Sequence, residues 1–190
     1  MMKKKLGSLN VLYPTPTTLV GATVNGKPNF IAIAHIGIIT HHHISLSMGK
    51  RHYTNAGIKE NRTFSVCLPS KDLVVETDYC GIMTGKNTDK AILFDVFFGE
   101  LKTAPMIQEC KICMECRLDR IVDFPNNDVF IGEIVQTYID DSVLTENHVD
   151  VSKVKPLLFD MSSKKYWALG AEIAKCWNVG KQLKSRRSDE

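Results

Sequence analysis

The chain has 190 residues, 44% hydrophobic and 24% charged, a balance that fits a folded globular domain and excludes a disordered, collagen-like or membrane-spanning chain. Its net charge of +3 sits in the tips: Lys3, Lys4 and Lys5 at the start, and Lys181, Lys184, Arg186 and Arg187 against Asp189 and Glu190 at the end. Setting aside that +3 and +2 leaves residues 6–180 at −2, so the body has no basic stripe for nucleic acid, and the tips at about 1–8 and 181–190 read as solvated tails on a single domain spanning 1–190.

The start is basic and then apolar, but Asn10, Tyr13, Pro14, Thr15 and Pro16 interrupt it before it reaches the length of a signal-peptide core, about 7–15 residues. A cytoplasmic location is expected, and with it six reduced cysteines rather than disulfides. Thr17–Val24 is rich in β-branched residues and ends at Asn25-Gly26, a tight-hairpin dipeptide. Phe30–Ile39, FIAIAHIGII, reads as one strand with no polar face, covered on both sides. It is the longest uncharged apolar stretch, far short of the ~20 residues that a spanning helix needs, so no membrane partner is expected. His41-His42-His43 then form a polar crest; a strand would put only two of them on one face, so no metal site is expected there.

Further strands are predicted at Ile44–Met48, Phe64–Leu68, Ile112–Val122 and Val129–Ile139, with a hairpin of Pro156–Asp160 and Lys165–Leu169 around Ser162-Ser163. Short helices are predicted at Thr54–Glu60, with Thr54 as N-cap, at Asp72–Tyr79, at Thr88–Phe94 and at Gly170–Trp177. Many short strands and few helices point to a mainly β fold, an antiparallel barrel or sandwich with flanking helices.

Two blocks have the chemistry of an anion site. In SMGKRHYTNAGIKENRTF, Ser47–Phe64, a strand ends in a basic turn and a helix begins; helix N–H groups, Lys50, Arg51 and the hydroxyls of Tyr53 and Thr54 suit a phosphate. In DYCGIMTGKNTDK, Asp78–Lys90, Gly81 and Gly85 permit close backbone approach to a ligand, and Lys86 and Lys90 add charge. Either block alone reads equally as an ordinary capped helix or a surface loop. Neither GxxxxGK[ST] nor GxGxxG occurs, and no nucleophile–base motif such as GxSxG or HExxH is present, so no catalytic side chain is assigned. In CKICMEC, strand alternation would turn Cys110 and Cys116 one way and Cys113 the other, so the three are read as buried thiols that do not share one ion.

Taken in register with YPTPTTLVGA, GKPNFIAIA and a closing YWALGAEIAKCWNVGK, these blocks resemble the flavin reductase-like family of FMN-binding split barrels, and within it the flavoredoxins, from about Tyr13 to Gly180. The resemblance implies a six-stranded antiparallel split barrel, a homodimer with FMN near the subunit interface, and either electron transfer with a redox partner protein or flavin-dependent reduction. An NAD(P)H-dependent reductase of free flavin is an alternative, and a non-catalytic flavin- or haem-binding module another. The resemblance puts phosphate contacts on Lys50, Tyr53, Thr54 and Lys90, and flavin-ring contacts on Asn29, Ala32, His35, Ser47 and Met48, with backbone N–H groups up to Gly49 at the ring's polar edge. Relatives often carry Trp where His35 stands and Pro-Pro where His42-His43 stand. Both departures fall beside the expected flavin edge and bear on the redox partner.

Overall fold

The computed structural model describes residues 2–183; Lys184 to Glu190, most of the basic C-terminal tail, lie outside the described residues. In chain order the strands are β1 Thr15–Pro16, β2 Thr18–Val24, β3 Lys27–Ile33, β4 Ile36–Thr40 and β5 His43–Gly49. Helix α1, Thr54–Asn61, precedes β6 Thr63–Leu68, and α2, Val74–Ile82, precedes β7 Val96–Phe98 and β8 Pro105–Ile107. The long strands β9 Ile112–Asp123 and β10 Asn127–Ile139 follow, then β11 Leu144–Thr145, β12 His148–Val149, the single turn α3 Val151–Val154, β13 Leu158–Asp160 and β14 Lys165–Trp167.

The main sheet is antiparallel and has seven strands rather than six, because the run Phe30–Ile39 supplies two, ordered β3-β2-β6-β9-β10-β5-β4. It opens at the predicted hairpin: Val24 pairs with Lys27, and Asn25 and Gly26 have φ of 51° and 75°, the positive values that a two-residue turn joining twisted strands needs. Register shifts in the β9–β10 ladder bend the sheet. It curls until the end of β3 meets β5, where the Ser47 N–H donates to the His35 carbonyl at 2.9 Å. The result is a split barrel with flanking helices. Its interior holds Val20, Ile31, Leu46, Met48, Phe64 and Phe130, with Ile58 of α1 packed among them. A second apolar layer lies on the outer face of β2, β3, β6 and β9, where Leu19, Phe30, Cys67 and Cys113 meet Cys80 of α2 and Met106 and Ile107 of β8.

Five local expectations change. The run Phe30–Ile39 is two strands, broken at Ala34-His35, because the chain leaves one edge of the sheet there and joins the other. Ile31 and Ile33 are buried in the barrel, while Ile38 and Ile39 are 87% and 52% exposed on the β4 edge. Thr54 does not cap α1: Tyr53 holds the N-cap position, and the Thr54 hydroxyl accepts instead from Asn29 Nδ2 at 2.7 Å. Thr88–Phe94 holds only a 3₁₀ turn, Ala91–Leu93. Residues 171–175 have no regular structure, and Ile173 and Trp177 are almost fully exposed, so Gly170–Trp177 has no apolar seat to fold against. Cys110 stands in a turn before β9 rather than in the strand, so alternation does not govern it, and it joins Cys113 and Cys67 in the outer layer while Cys116 faces the barrel interior.

Candidate functional site

A cleft of about 480 Å³ opens where the barrel is split. Its floor is Ala32 to His35, at and just beyond the end of β3, with Ser47 and Gly49 at the end of β5. One wall is α2, through Asp78, Gly81 and Ile82; the other is the C-terminal hairpin, through Phe159, Met161 and Tyr166. At His52, Gly81 and Ile82 the cleft continues into a niche of about 150 Å³ bounded by Arg51, Tyr53, Thr54, Gly85 and Lys90. Beyond Gly85 a further recess of about 250 Å³ is lined by Asn29, Lys86 and Lys90. The whole is elongated, with apolar and aromatic groups toward one end and cations at the other, in the size range of small-ligand sites.

Lys90 dominates the cationic end. It is only 2% exposed, and its Nζ donates to the carbonyls of Cys80, at 3.1 Å, and Met83, at 3.0 Å, where α2 ends. Those carbonyls are the negative end of the helix dipole. An ammonium has three donors, and two are used, leaving one for a ligand. Among the described residues no carboxylate pairs with Lys90. Burial pushes its pKa down. A buried cation satisfied only by carbonyls is an arrangement that an anion would complete.

The rest of this end is interlocked. Asn29, buried in β3, holds Thr54 at the start of α1, and Asn25 Nδ2 donates to the Tyr53 hydroxyl at 3.3 Å. A Cβ on Gly85 would lie 1.9 Å from Asn29 Oδ1 and 2.8 Å from the Tyr53 ring, so only glycine lets that loop pass so close. His52 stands between niche and cleft; burial, then the charge of Lys90, pulls its pKa below the ordinary histidine value.

The other end is a rim of side-chain pairs. His35 Nε2 and the Tyr13 hydroxyl lie 2.8 Å apart, and the Tyr166 hydroxyl donates to Asp78 Oδ1 at 2.9 Å. Burial, and then that carboxylate, raise the Tyr166 pKa to about 12.

Of the ten residues named from the sequence, Ala32, His35, Ser47 and Gly49 line the cleft; Tyr53, Thr54 and Lys90 line the niche; Asn29 lines the recess. Two stand elsewhere. Met48 is fully buried in the barrel interior. Lys50 turns toward the β9–β10 loop and pairs with Asp123 at 2.5 Å. Arg51 and His52, its neighbours, face the niche instead. The basic run Lys50-Arg51-His52 was visible in the sequence, but which member turns inward depends on the tight turn after Gly49, where the His52 N–H bonds the Gly49 carbonyl. Asp78, Phe159, Met161 and Tyr166 join the site only through tertiary packing of α2 and the C-terminal hairpin, which left no mark in local sequence.

Known proteins share this fold. The model of the flavin reductase like domain matches residues 10–168. The solved flavoredoxin of Methanosarcina acetivorans is 40% identical, with 96% of this chain and all of that one covered at a TM-score of 0.93. The flavoredoxin of Desulfovibrio vulgaris (Miyazaki F) is 35% identical, with 95% of this chain and all of that one covered at a TM-score of 0.88. An uncharacterized protein of Archaeoglobus fulgidus is 27% identical over 139 residues, 71% of this chain and 78% of that one. With the family model and both flavoredoxins spanning nearly all of a split barrel of this shape, the chain belongs to the flavin reductase-like family.

Proposed function

We propose that the chain is an FMN-binding flavoprotein of the flavoredoxin type, acting in electron transfer or flavin-dependent reduction, and that 1–190 forms a single flavin-binding unit. The observation that carries this reading is buried Lys90, paired with no carboxylate among the described residues, at the end of an elongated cleft whose other end is largely apolar. FMN has a matching polarity: a dianionic phosphate tail and a flat, mostly apolar ring system. Lys90 and the Thr54 and Tyr53 hydroxyls would hold the phosphate, with Arg51 and His52 beside it. Ala32, the backbone from Ser47 to Gly49, and Ile82 would border the ring. When bound, FMN supplies the redox chemistry. The chain supplies position: the cations fix the tail, the walls of α2 and the C-terminal hairpin exclude bulk water, and the polar pairs at the rim hold their protons near the exposed side of the cleft.

The reading includes a homodimer. The β4 edge leaves Ile38 and Ile39 uncovered just beyond His35, so a partner seated there would lie beside the cleft. A cytoplasmic location fits six cysteines that all remain free; among the described residues no helix is long and apolar enough to cross a membrane.

The test is direct. Purified protein, soaked in FMN and desalted, retains the visible spectrum of an oxidised flavin. A preparation that stays colourless overturns the reading. Rapid bleaching by NADH or NADPH marks a reductase; inertness to both, with bleaching by a low-potential donor protein, marks an electron carrier.

A further inference from the structure

The outer apolar layer gathers three cysteines that have no part in the cleft. Cys67 of β6 and Cys113 of β9 are direct partners across the antiparallel ladder. Directly opposed residues in such a ladder have Cα atoms about 4.5–5.5 Å apart, within the range that a disulfide spans. The turn carrying Cys110 brings it into the same packed layer as Cys67 and Cys113. The Cys113 thiol donates to the Ile107 carbonyl at 3.4 Å and to the Cys110 backbone carbonyl at 3.8 Å. Cys80 shares the layer, on α2, and Cys116 faces away from it.

A second opening reaches two of the three, Cys110 and Cys113. A depression of about 280 Å³ is lined by Phe97, Cys110, Lys111, Cys113, Tyr138 and Asp140, and none of these residues lines the flavin cleft. Cys110 is 6% exposed and Cys113 nearly sealed, so Cys110 is the thiol that a small oxidant meets first. Cys67 is fully buried behind it. Burial above all pushes the Cys67 thiol up, and the neighbouring Cys67 thiol and then burial push Cys113 up, so neither is the first nucleophile. Lys111, paired with Asp140 at 2.7 Å, holds an ammonium at the mouth of the depression.

We propose that Cys110 and Cys67 form a reversible disulfide when the protein meets a peroxide. The Cys110 sulfur attacks one peroxide oxygen; the O–O bond breaks, one water leaves, and Cys110 becomes a sulfenic acid. The Cys67 sulfur then displaces that hydroxyl as a second water, forming the S–S bond. Two thiols are oxidised by two electrons, and the peroxide is reduced to two waters. A dithiol reductant restores the pair.

The experiment uses Cys176→Ser protein, since Cys176 is exposed and would otherwise cross-link molecules. The protein is treated with equimolar hydrogen peroxide, its remaining thiols are alkylated in denaturant, and its peptides are mapped by mass spectrometry. The expected product is a monomer lighter by two hydrogens, with the Cys67 and Cys110 peptides joined, Cys80, Cys113 and Cys116 alkylated, and the link reversed by dithiothreitol. Five alkylated internal cysteines, a link that omits Cys67 or Cys110 (the ladder pair of Cys67 and Cys113 included), or Cys110 over-oxidised without a link each overturns the proposal. Adding Cys67→Ala should abolish the link and leave a sulfenic acid on Cys110 that dimedone traps. If that variant fails to fold, the peptide map of the Cys67-containing protein still decides.

Discussion

At the Lys90 end of the cleft, each polar side chain is held by a different part of the fold. Lys90 is tied to the end of α2, Asn29 of β3 to Thr54 of α1, and Tyr53 to the first hairpin through Asn25. At the His35 end, the polar side chains meet in pairs on an exposed rim, Tyr13 with His35 and Tyr166 with Asp78, and both tyrosines belong to segments outside the main sheet. A preorganised end loses little freedom when it closes on a ligand, so it supplies grip; an exposed rim can adapt to whatever approaches. This division suits a protein that holds one cofactor and exchanges electrons with something else.

The sharpest break in the comparison is Lys90→Met. Losing a charge-assisted bond to phosphate costs about 1.5–3 kcal/mol, so FMN affinity should fall roughly 10- to 150-fold, measured by fluorescence titration. Riboflavin, which lacks the phosphate, should bind wild type and variant alike. Stability of the unliganded protein should change far less, because the substitution also removes a buried, unpaired charge. Lys50→Ala is the contrast: its ion pair with Asp123 is exposed, and FMN affinity should stay within about threefold. Equal losses in both variants would mean that the tail lies nearer the β9–β10 loop.

Gly85→Ala should come next. The added methyl meets Asn29, which cannot step aside without giving up Thr54. Overpacking of this kind costs about 1–3 kcal/mol, read as a lower denaturation midpoint. FMN affinity should fall with it, because the displaced atoms line the niche and recess.

The contrast between Lys50 and Lys90 also shows what the sequence could reveal. Both lysines were visible beside plausible turns. Only the packing of α2 against the loop that follows it buries one, and that packing joins residues whose local patterns are unremarkable. The strands were legible wherever alternation or a strong turn dipeptide marked them, as at Thr18–Val24 and Asn25-Gly26. The break at Ala34-His35 was not, because apolar residues continue across it and periodicity carries no signal when both faces look alike. Cys110 was misplaced for a related reason: alternation was carried back from β9 into the turn at residues 108–111 that precedes it. The family blocks were legible as a set, since their order along the chain follows the path of the barrel past the cleft.

His52 offers a smaller effect with a definite sign. Its pKa is lowered in the folded protein, so the unfolded chain takes up its proton first as pH falls. The stability tied to neutral His52 is therefore complete above the ordinary value of 6.5 and is lost as pH falls through the lower folded-state value. Urea unfolding of the unliganded protein between pH 7.5 and 5 should show wild type losing stability relative to His52→Gln. Parallel profiles would mean that Lys90 and the niche do not act on this imidazole.

The smallest effect belongs to the rim. Tyr166→Phe removes one partly exposed hydrogen bond, and at pH 7 it should cost about 0.5 kcal/mol or less, with FMN affinity nearly unchanged. The folded-state pKa of Tyr166 is raised to about 12, above its ordinary value of 10.0, so the sign is opposite to that of His52. The hydroxyl's contribution is complete below pH 10 and fades as pH rises toward 12, because the unfolded tyrosine gives up its proton first. The gap between wild type and Tyr166→Phe in denaturant unfolding should therefore be constant from pH 7 to 9 and narrow above 10. A large loss of FMN affinity in this variant would place the rim among the gripping residues and erase the difference between the two ends of the cleft.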